Sequence, residues 1–218
     1  MLKTTNLFDL SHTAAGQWLA GFEYPWQALP GIGDLIRRLG QTLGEDYISI
    51  GPEVWVHKTA EVAPTASITG PCIIGAGSEV RHCAFIRGNA LVGENCVVGN
   101  STELKNVILF DRVQVPHFNY VGDSILGYKS HMGGGAVTSN VKSDYTPVTV
   151  RTPDGRVETG MKKFGAMVGD YSEVGCNAVL NPGTVLGRCC TVYPTSCVRG
   201  AVEEHSIWKN DGTVVRKV

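Results

Sequence analysis

The chain has 218 residues, enough for one sizeable domain and a small appendage. Hydrophobic residues make up 43%, which excludes a disordered chain, and a formal net charge of -1 gives no reason to expect nucleic acid or an anionic membrane as partner. Glycine is common at 27 residues while charged residues reach only 18%, a balance that suits a turn-rich β repeat better than a helical bundle.

Residues 1–50 read as a helical N-terminal cap. Ile32, Leu35, Ile36, Leu39 and Leu43 fall at helical spacing, with Asp34 in the first turn and Gly44 near the end. A shorter helix is expected over Ala14–Ala20, and Trp18, Phe22, Tyr24 and Trp26 cluster between the two. The plain reading is a lid over the open end of the domain that follows; the alternative is a subunit or partner contact. The opening Met1–Thr5 leads to Asp9 and His12 rather than to an apolar run, so no secretory signal is expected.

From Val56 an apolar residue recurs every six positions: Val62, Ile68, Ile74, Val80, Ile86, Val92, Val98, Leu104 and Phe110, with Pro116 next. The position four after each is small, as at Ala60, Ala66, Cys72, Ser78, Ala84, Ala90, Cys96 and Thr102. The register slips near Val121, resumes at Leu126 and Met132, and returns as Val168, Val174, Leu180, Leu186, Val192 and Val198. A period of six fits neither an α-helix nor a lone strand. It fits a left-handed parallel β-helix over residues 51–203, in which each hexapeptide supplies one short strand and one corner, and stacked coils bury what no coil buries alone. Cys72, Cys96 and Cys190 are then packing residues. The odd total of seven cysteines and the lack of a CxxC pair point to reduced thiols of a cytoplasmic protein, with no disulfide framework and no zinc site.

Residues 139–166 interrupt the coil. Val148–Thr152 and Arg156–Thr159 flank Pro153-Asp154-Gly155 and read as an inserted hairpin. Residues 204–218 read as a second hairpin around Asn210-Asp211-Gly212. No uninterrupted apolar run reaches the roughly 18 residues that a membrane span needs.

Polar residues that break the repeat carry the functional signal: Arg87, Lys105, His117, Tyr120 and Asn140. Arg87 and Lys105 stand one coil apart and should stack as an anion site, or simply as a solvated face. His117 follows twelve residues later, two faces on, so that a neighbouring subunit or the slip itself would complete a site. Alone it reads more readily as a surface or hydrogen-bonded histidine.

The stretches Val98–Lys105, Val115–Asp123 and Gly133–Asn140 resemble the acetyltransferase domain of glucosamine-1-phosphate N-acetyltransferase/UDP-N-acetylglucosamine pyrophosphorylase. The hairpin and Lys162–Ala166 are closer to the archaeal sugar-1-phosphate nucleotidylyltransferases with this C-terminal domain. The resemblance covers roughly residues 54 to 200. It implies a homotrimeric, acetyl-CoA-dependent N-acetyltransferase acting on glucosamine-1-phosphate or galactosamine-1-phosphate, with no metal required. The chain does not open on the Gly-rich nucleotide loop of the other half of that family, and 50 residues cannot house its nucleotide-binding domain, so no nucleotidylyltransferase activity is expected. His117 would be the general base. Arg87 and Lys105 would hold the phosphate, and Tyr120 and Asn140 the sugar. Gly134, Lys163, Cys176 and Pro194 would face acetyl-CoA. Departures fall at His131, Val141, Thr146 and Thr149, where the family carries Asn, Tyr and lysines, and they bear on substrate identity. Other readings stay open: a hexapeptide acyltransferase on another amine or a nucleotide-linked amino sugar, a non-catalytic β-helix scaffold or regulatory subunit, and a γ-class carbonic anhydrase, for which the third histidine ligand is missing.

Overall fold

A computed structural model describes residues 1–217. Short strands stack in parallel on three faces to form the β-helix that the period of six implies. The first face holds Glu79–Val80, Val97–Asn100, Gln114–His117 and His131–Met132 among others. The second holds Phe85–Ile86 and the leading halves of Glu103–Leu109 and Tyr120–Leu126. The third holds Cys72–Ile74, Ala90–Val92 and the trailing halves of those two long strands. Aliphatic side chains point inward at every step: Ile74, Ile86, Val98, Leu104, Val121 and Leu180 are fully buried.

In several coils the small position also supplies a hydrogen-bond donor. Ser78, Thr102 and Ser172 each donate a hydroxyl to a carbonyl of the next coil (Gly93, Val115 and Gly187) at 2.8–2.9 Å. Cys96 and Cys190 do the same through Sγ, to Phe110 and Glu203, at 3.0 Å. Burial pushes the Cys72 and Cys96 thiols up to about 12 and the Cys190 thiol up to about 11, so these cysteines are unreactive packing groups.

Two sequence expectations need correction. The register shifts earlier than Val121. Phe85 pairs with Glu103, eighteen residues on, but Ala90 pairs with Val107, seventeen on. Leu109 and Val115 therefore hold the core positions expected of Phe110 and Pro116. Phe110 is nevertheless buried, because Phe8 of the N-terminal segment packs on it with ring centroids 5.1 Å apart.

The second correction concerns that segment. Its helices, Thr4–Leu7, Gly16–Leu19 and Ile32–Gly40, with a 3-10 stretch Pro25–Gly31, lie along the third face rather than across the end. The outward side chains of that face are apolar: Ile73, Leu91, Ile108, Ile125, Met167 and Val185 are each at most 3% exposed. Burying such side chains is worth roughly 1.5–3 kcal/mol apiece. The end of the prism carries Tyr47–Gly51, antiparallel to Val54–His57, and keeps a cavity of about 510 Å³ beside half-buried Val62 and Ile68. No helix of the described residues is long and apolar enough to cross a membrane.

Candidate functional site

The corner between the second and third faces departs from the repeat. Arg87–Asn89 turns it in three residues. Lys105–Asn106 and Gly122–Asp123 turn it in two, which shortens both coils by one residue. Asn106 (φ 56°) and Asp123 (φ 47°) take the left-handed conformation that Asn and Asp tolerate better than other side chains. One coil further on, Ser139 and Asn140 leave the same corner into the insertion.

Asp123, on the second of these short turns, is 4% exposed. Lys105 Nζ donates to both its oxygens, at 2.9 and 3.0 Å. Asn106 Nδ2 donates to it at 3.0 Å and also reaches the Leu29 carbonyl at 3.2 Å, tying the N-terminal segment to the corner. Asn140 Nδ2 donates to Asp123 at 2.5 Å and to the Tyr120 hydroxyl at 3.1 Å. Burial, then the nearby Asp123 and Glu103 charges, raise the Tyr120 pKa, so the phenol stays protonated in neutral water. Gly122 leaves room for the Tyr120 hydroxyl: a Cβ at that position would collide with it and lie 3.0 Å from Asn140 Nδ2.

Arg87 pairs with Glu103 at 2.7 Å, and the bond to that carboxylate raises its pKa. Each cation of the expected anion site thus already has a carboxylate partner. Lys163, expected beside acetyl-CoA, stands instead with Lys162, Gly160, Leu29, Pro30, Asn106 and Asp123 around a groove of about 310 Å³ at this corner.

His117 lies at the neighbouring corner, between the first and second faces, at the end of Gln114–His117. Its side chain is exposed. Its backbone is clamped: its N–H donates to Asn119 Oδ1 at 3.1 Å, and its carbonyl accepts from Gly135 N–H at 2.9 Å. Asn119 is buried and donates to the Gly133 and Ala136 carbonyls at 2.8 and 3.0 Å. Above His117 the same corner carries Gly134, whose missing Cβ would sit 3.6 Å from the His117 Cβ. Next come Cys176, against Gly133, and Pro194, against Gly175. The backbone N–H groups flanking Gly134 are spent within the coils, from Gly133 to Val174 and from Gly135 to His117.

The structure therefore sorts the expected residues into two columns. His117, Gly134, Cys176 and Pro194 share one corner. Arg87, Lys105, Asn140 and Lys163 share the next. Tyr120 stands on the strand between them. His131 belongs to neither; on the first face it pairs with Glu173 at 2.9 Å. Lys142, Thr146 and Asp144 bond one another within the insertion, whose hairpin, Thr149–Thr152 with Gly155–Glu158, runs against Gly183 and Gly200 of later coils. Asp123, Asn106, Glu103 and Asn119 escaped the sequence reading. The spacing of eighteen between Lys105 and Asp123 was an available signal for the first of them.

The family model for the GMPPB C-terminal domain matches residues 68–162. The chain is 31% identical over 198 residues to the bifunctional protein GlmU of Methanococcus maripaludis (strain C5 / ATCC BAA-1333), covering 89% of this chain and 48% of that protein. It is 31% identical over 160 residues to the bifunctional sugar-1-phosphate nucleotidylyltransferase/acetyltransferase of Sulfurisphaera tokodaii, covering 72% and 40%. The resemblance read in the sequence holds. The chain spans about half the length, or less, of these relatives. Among solved structures, a perosamine N-acetyltransferase mutant from Caulobacter crescentus in complex with CoA and GDP-perosamine aligns at 15% identity over 87% of this chain and 74% of that one, with a TM-score of 0.41. WeeI from Acinetobacter baumannii AYE aligns at 14% identity over 70% and 56%, with a TM-score of 0.43.

Proposed function

We propose that the protein is an acetyl-CoA-dependent N-acetyltransferase acting on an amino-sugar 1-phosphate, glucosamine-1-phosphate or galactosamine-1-phosphate, in the cytoplasm and without a metal. The observation that carries this reading is the pair of adjacent columns. An exposed histidine on a clamped backbone stands one short strand from a polar cluster suited to a sugar. The similarity to half of bifunctional GlmU-type proteins supports the same reading.

In this reading the sugar amine attacks the thioester carbonyl, His117 takes the amine proton, and the thiolate of CoA leaves. Tyr120 and Asn140 orient the sugar. The phosphate falls to Arg87, on the turn at this corner, and to Lys162 and Lys163, which line the groove there, while Lys105 is held on Asp123. Acetyl-CoA lies along Gly134, Cys176 and Pro194. Oxyanion charge would meet the Gly134 N–H, its neighbours being engaged. The two columns lie at different corners, so a second prism packed against the second face would enclose the site, as in a homotrimer.

The test is acetyl transfer followed by thiol release, on glucosamine-1-phosphate, galactosamine-1-phosphate and a nucleotide-linked amino sugar, with His117→Ala beside the native protein. Transfer to one of the first two that drops about 10²–10⁴-fold in the variant supports the reading. Transfer only to the third moves the acceptor class. Full activity in His117→Ala removes the base assignment, and inactivity on all three sinks the reading.

A further inference from the structure

Beyond holding Lys105, Asp123 has no part in the chemistry just described, yet four donor contacts converge on its two buried oxygens, from Lys105, Asn106 and Asn140. An ionised carboxylate only accepts hydrogen bonds. It must therefore face the N–H side of the Asn140 amide, and this fixes which way round that amide sits. Asn140 Nδ2 carries two hydrogens. One goes to Asp123 and the other to the Tyr120 oxygen. The Tyr120 oxygen is thereby an acceptor, and its own hydrogen is turned elsewhere. Asn140 Oδ1, on the far side of the amide, remains an acceptor.

We infer that Asp123 is a positioning residue that sets the direction of a hydrogen-bond relay through Asn140 to Tyr120, so that Tyr120 presents a donor and Asn140 Oδ1 an acceptor to the substrate. This inference rests on the acetyltransferase reading for the identity of the ligand, though not for the relay. The matching ligand offers an anionic or hydroxyl oxygen to Tyr120 and a hydroxyl or amine hydrogen to Asn140; an amino-sugar phosphate has both. Lys105, with its ammonium on both carboxylate oxygens, compensates the buried charge that drives the relay. A neutral Asn at 123 would keep the shape but not the direction, because it can present an NH₂ group where only an acceptor belongs.

Two measurements test this. In Asp123→Asn the KM for the amino-sugar phosphate should rise at least about tenfold, with kcat and the KM for acetyl-CoA changed less than about threefold. Tyr120→Phe should cost about tenfold in the native background and less than about threefold in Asp123→Asn, since both remove one relay. Additive losses overturn the inference. Should Asp123→Asn fail to fold, Tyr120→Phe and Asn140→Ala form the same cycle, and additivity there overturns it equally. The second measurement needs no activity: the side-chain amide protons of Asn140, followed by NMR exchange in the native protein and in Asp123→Asn (or Tyr120→Phe if the former does not fold). Slow exchange that becomes fast on substitution supports the relay. Fast exchange in the native protein overturns it. A native protein with a protected amide and no transfer to any of the three acceptors leaves the relay standing and removes the acetyltransferase reading.

Discussion

Between Val54 and Leu104, and again between Ala166 and Val198, strand partners stand eighteen residues apart; between Leu104 and Thr138 they stand seventeen apart. The longer coils explain themselves by packing. Their corners hold small or turn-forming residues such as Asn95, Ser101 and Asn177 in the left-handed conformation, and their inner side chains are aliphatic. The two shorter coils hold Lys105, Asn106, His117, Asn119, Tyr120 and Asp123. Losing one residue per coil draws the corner tight, so that a lysine on one coil reaches a carboxylate rooted one position past the next coil's matching residue. A regular stack supplies stability, and the places where the chain falls out of step supply polar groups with fixed directions. The last coil, turned by Arg199–Gly200 in two residues, uses its short corner differently: Gly200 lets the Arg151 backbone of the hairpin approach to within 2.7 Å of where a Cβ would stand.

The sharpest way to break this contrast is to restore the missing residue. A glycine inserted between Lys105 and Asn106 would return that coil to eighteen residues and pull Asn106 and Lys105 out of line with Asp123. The fold should survive with a loss of about 1–3 kcal/mol in urea unfolding, because corners of three residues occur elsewhere in the same stack. Acetyl transfer should fall by about 10²-fold or more, since positioning is lost while His117 stays intact. Undiminished transfer would mean that the shortened corner has no part in function.

A smaller effect is expected from Gly122→Ala. The backbone at Gly122 is ordinary for any residue, so the cost is steric: the new methyl takes the place of the Tyr120 hydroxyl. The ring must swing out and release its bond from Asn140. Stability should drop by about 1 kcal/mol, while the KM for the sugar rises about tenfold. Equal effects on both substrates' KM values would argue for a general distortion instead.

The repeat made the fold legible because an aliphatic residue every six positions is a strong and redundant signal, from Val56 to Leu104 and from Val168 to Val198. The slip is hidden in the sequence because Phe110 and Pro116 continue the period of six, while Leu109 and Val115 take the core positions. Phe110 is apolar for another reason, its contact with Phe8. The outward stripe Ile73, Leu91, Ile108, Ile125 and Met167 was legible in principle as apolar residues one before the core positions. Reading it would have laid the N-terminal segment on a face and not over the end. His117, Lys105, Tyr120 and Asn140 stood out as polar interruptions. Asp123 did not, because its importance lies in three partners scattered from residue 105 to residue 140, and only folding assembles them.

The smallest expected effect lies at Phe118, beside His117. At this corner the left-handed position is filled coil by coil by Cys83, Ser101, Phe118, Gly135, Asn177 and Thr195. A phenylalanine at φ 52° is strained by its Cβ, and the residue is 64% exposed, so burial does not offset that cost. Its N–H bonds the Asn100 carbonyl at 2.9 Å, a contact that any residue but proline can make. Phe118→Asn should therefore raise stability by about 0.5–1 kcal/mol in urea unfolding, as Asn tolerates this conformation better. A gain in stability together with weaker acetyl transfer would mark the exposed ring as retained for the site next to it. A loss of stability would mean that the ring is packed in the protein as it exists in solution, and would point to a neighbouring chain against this corner.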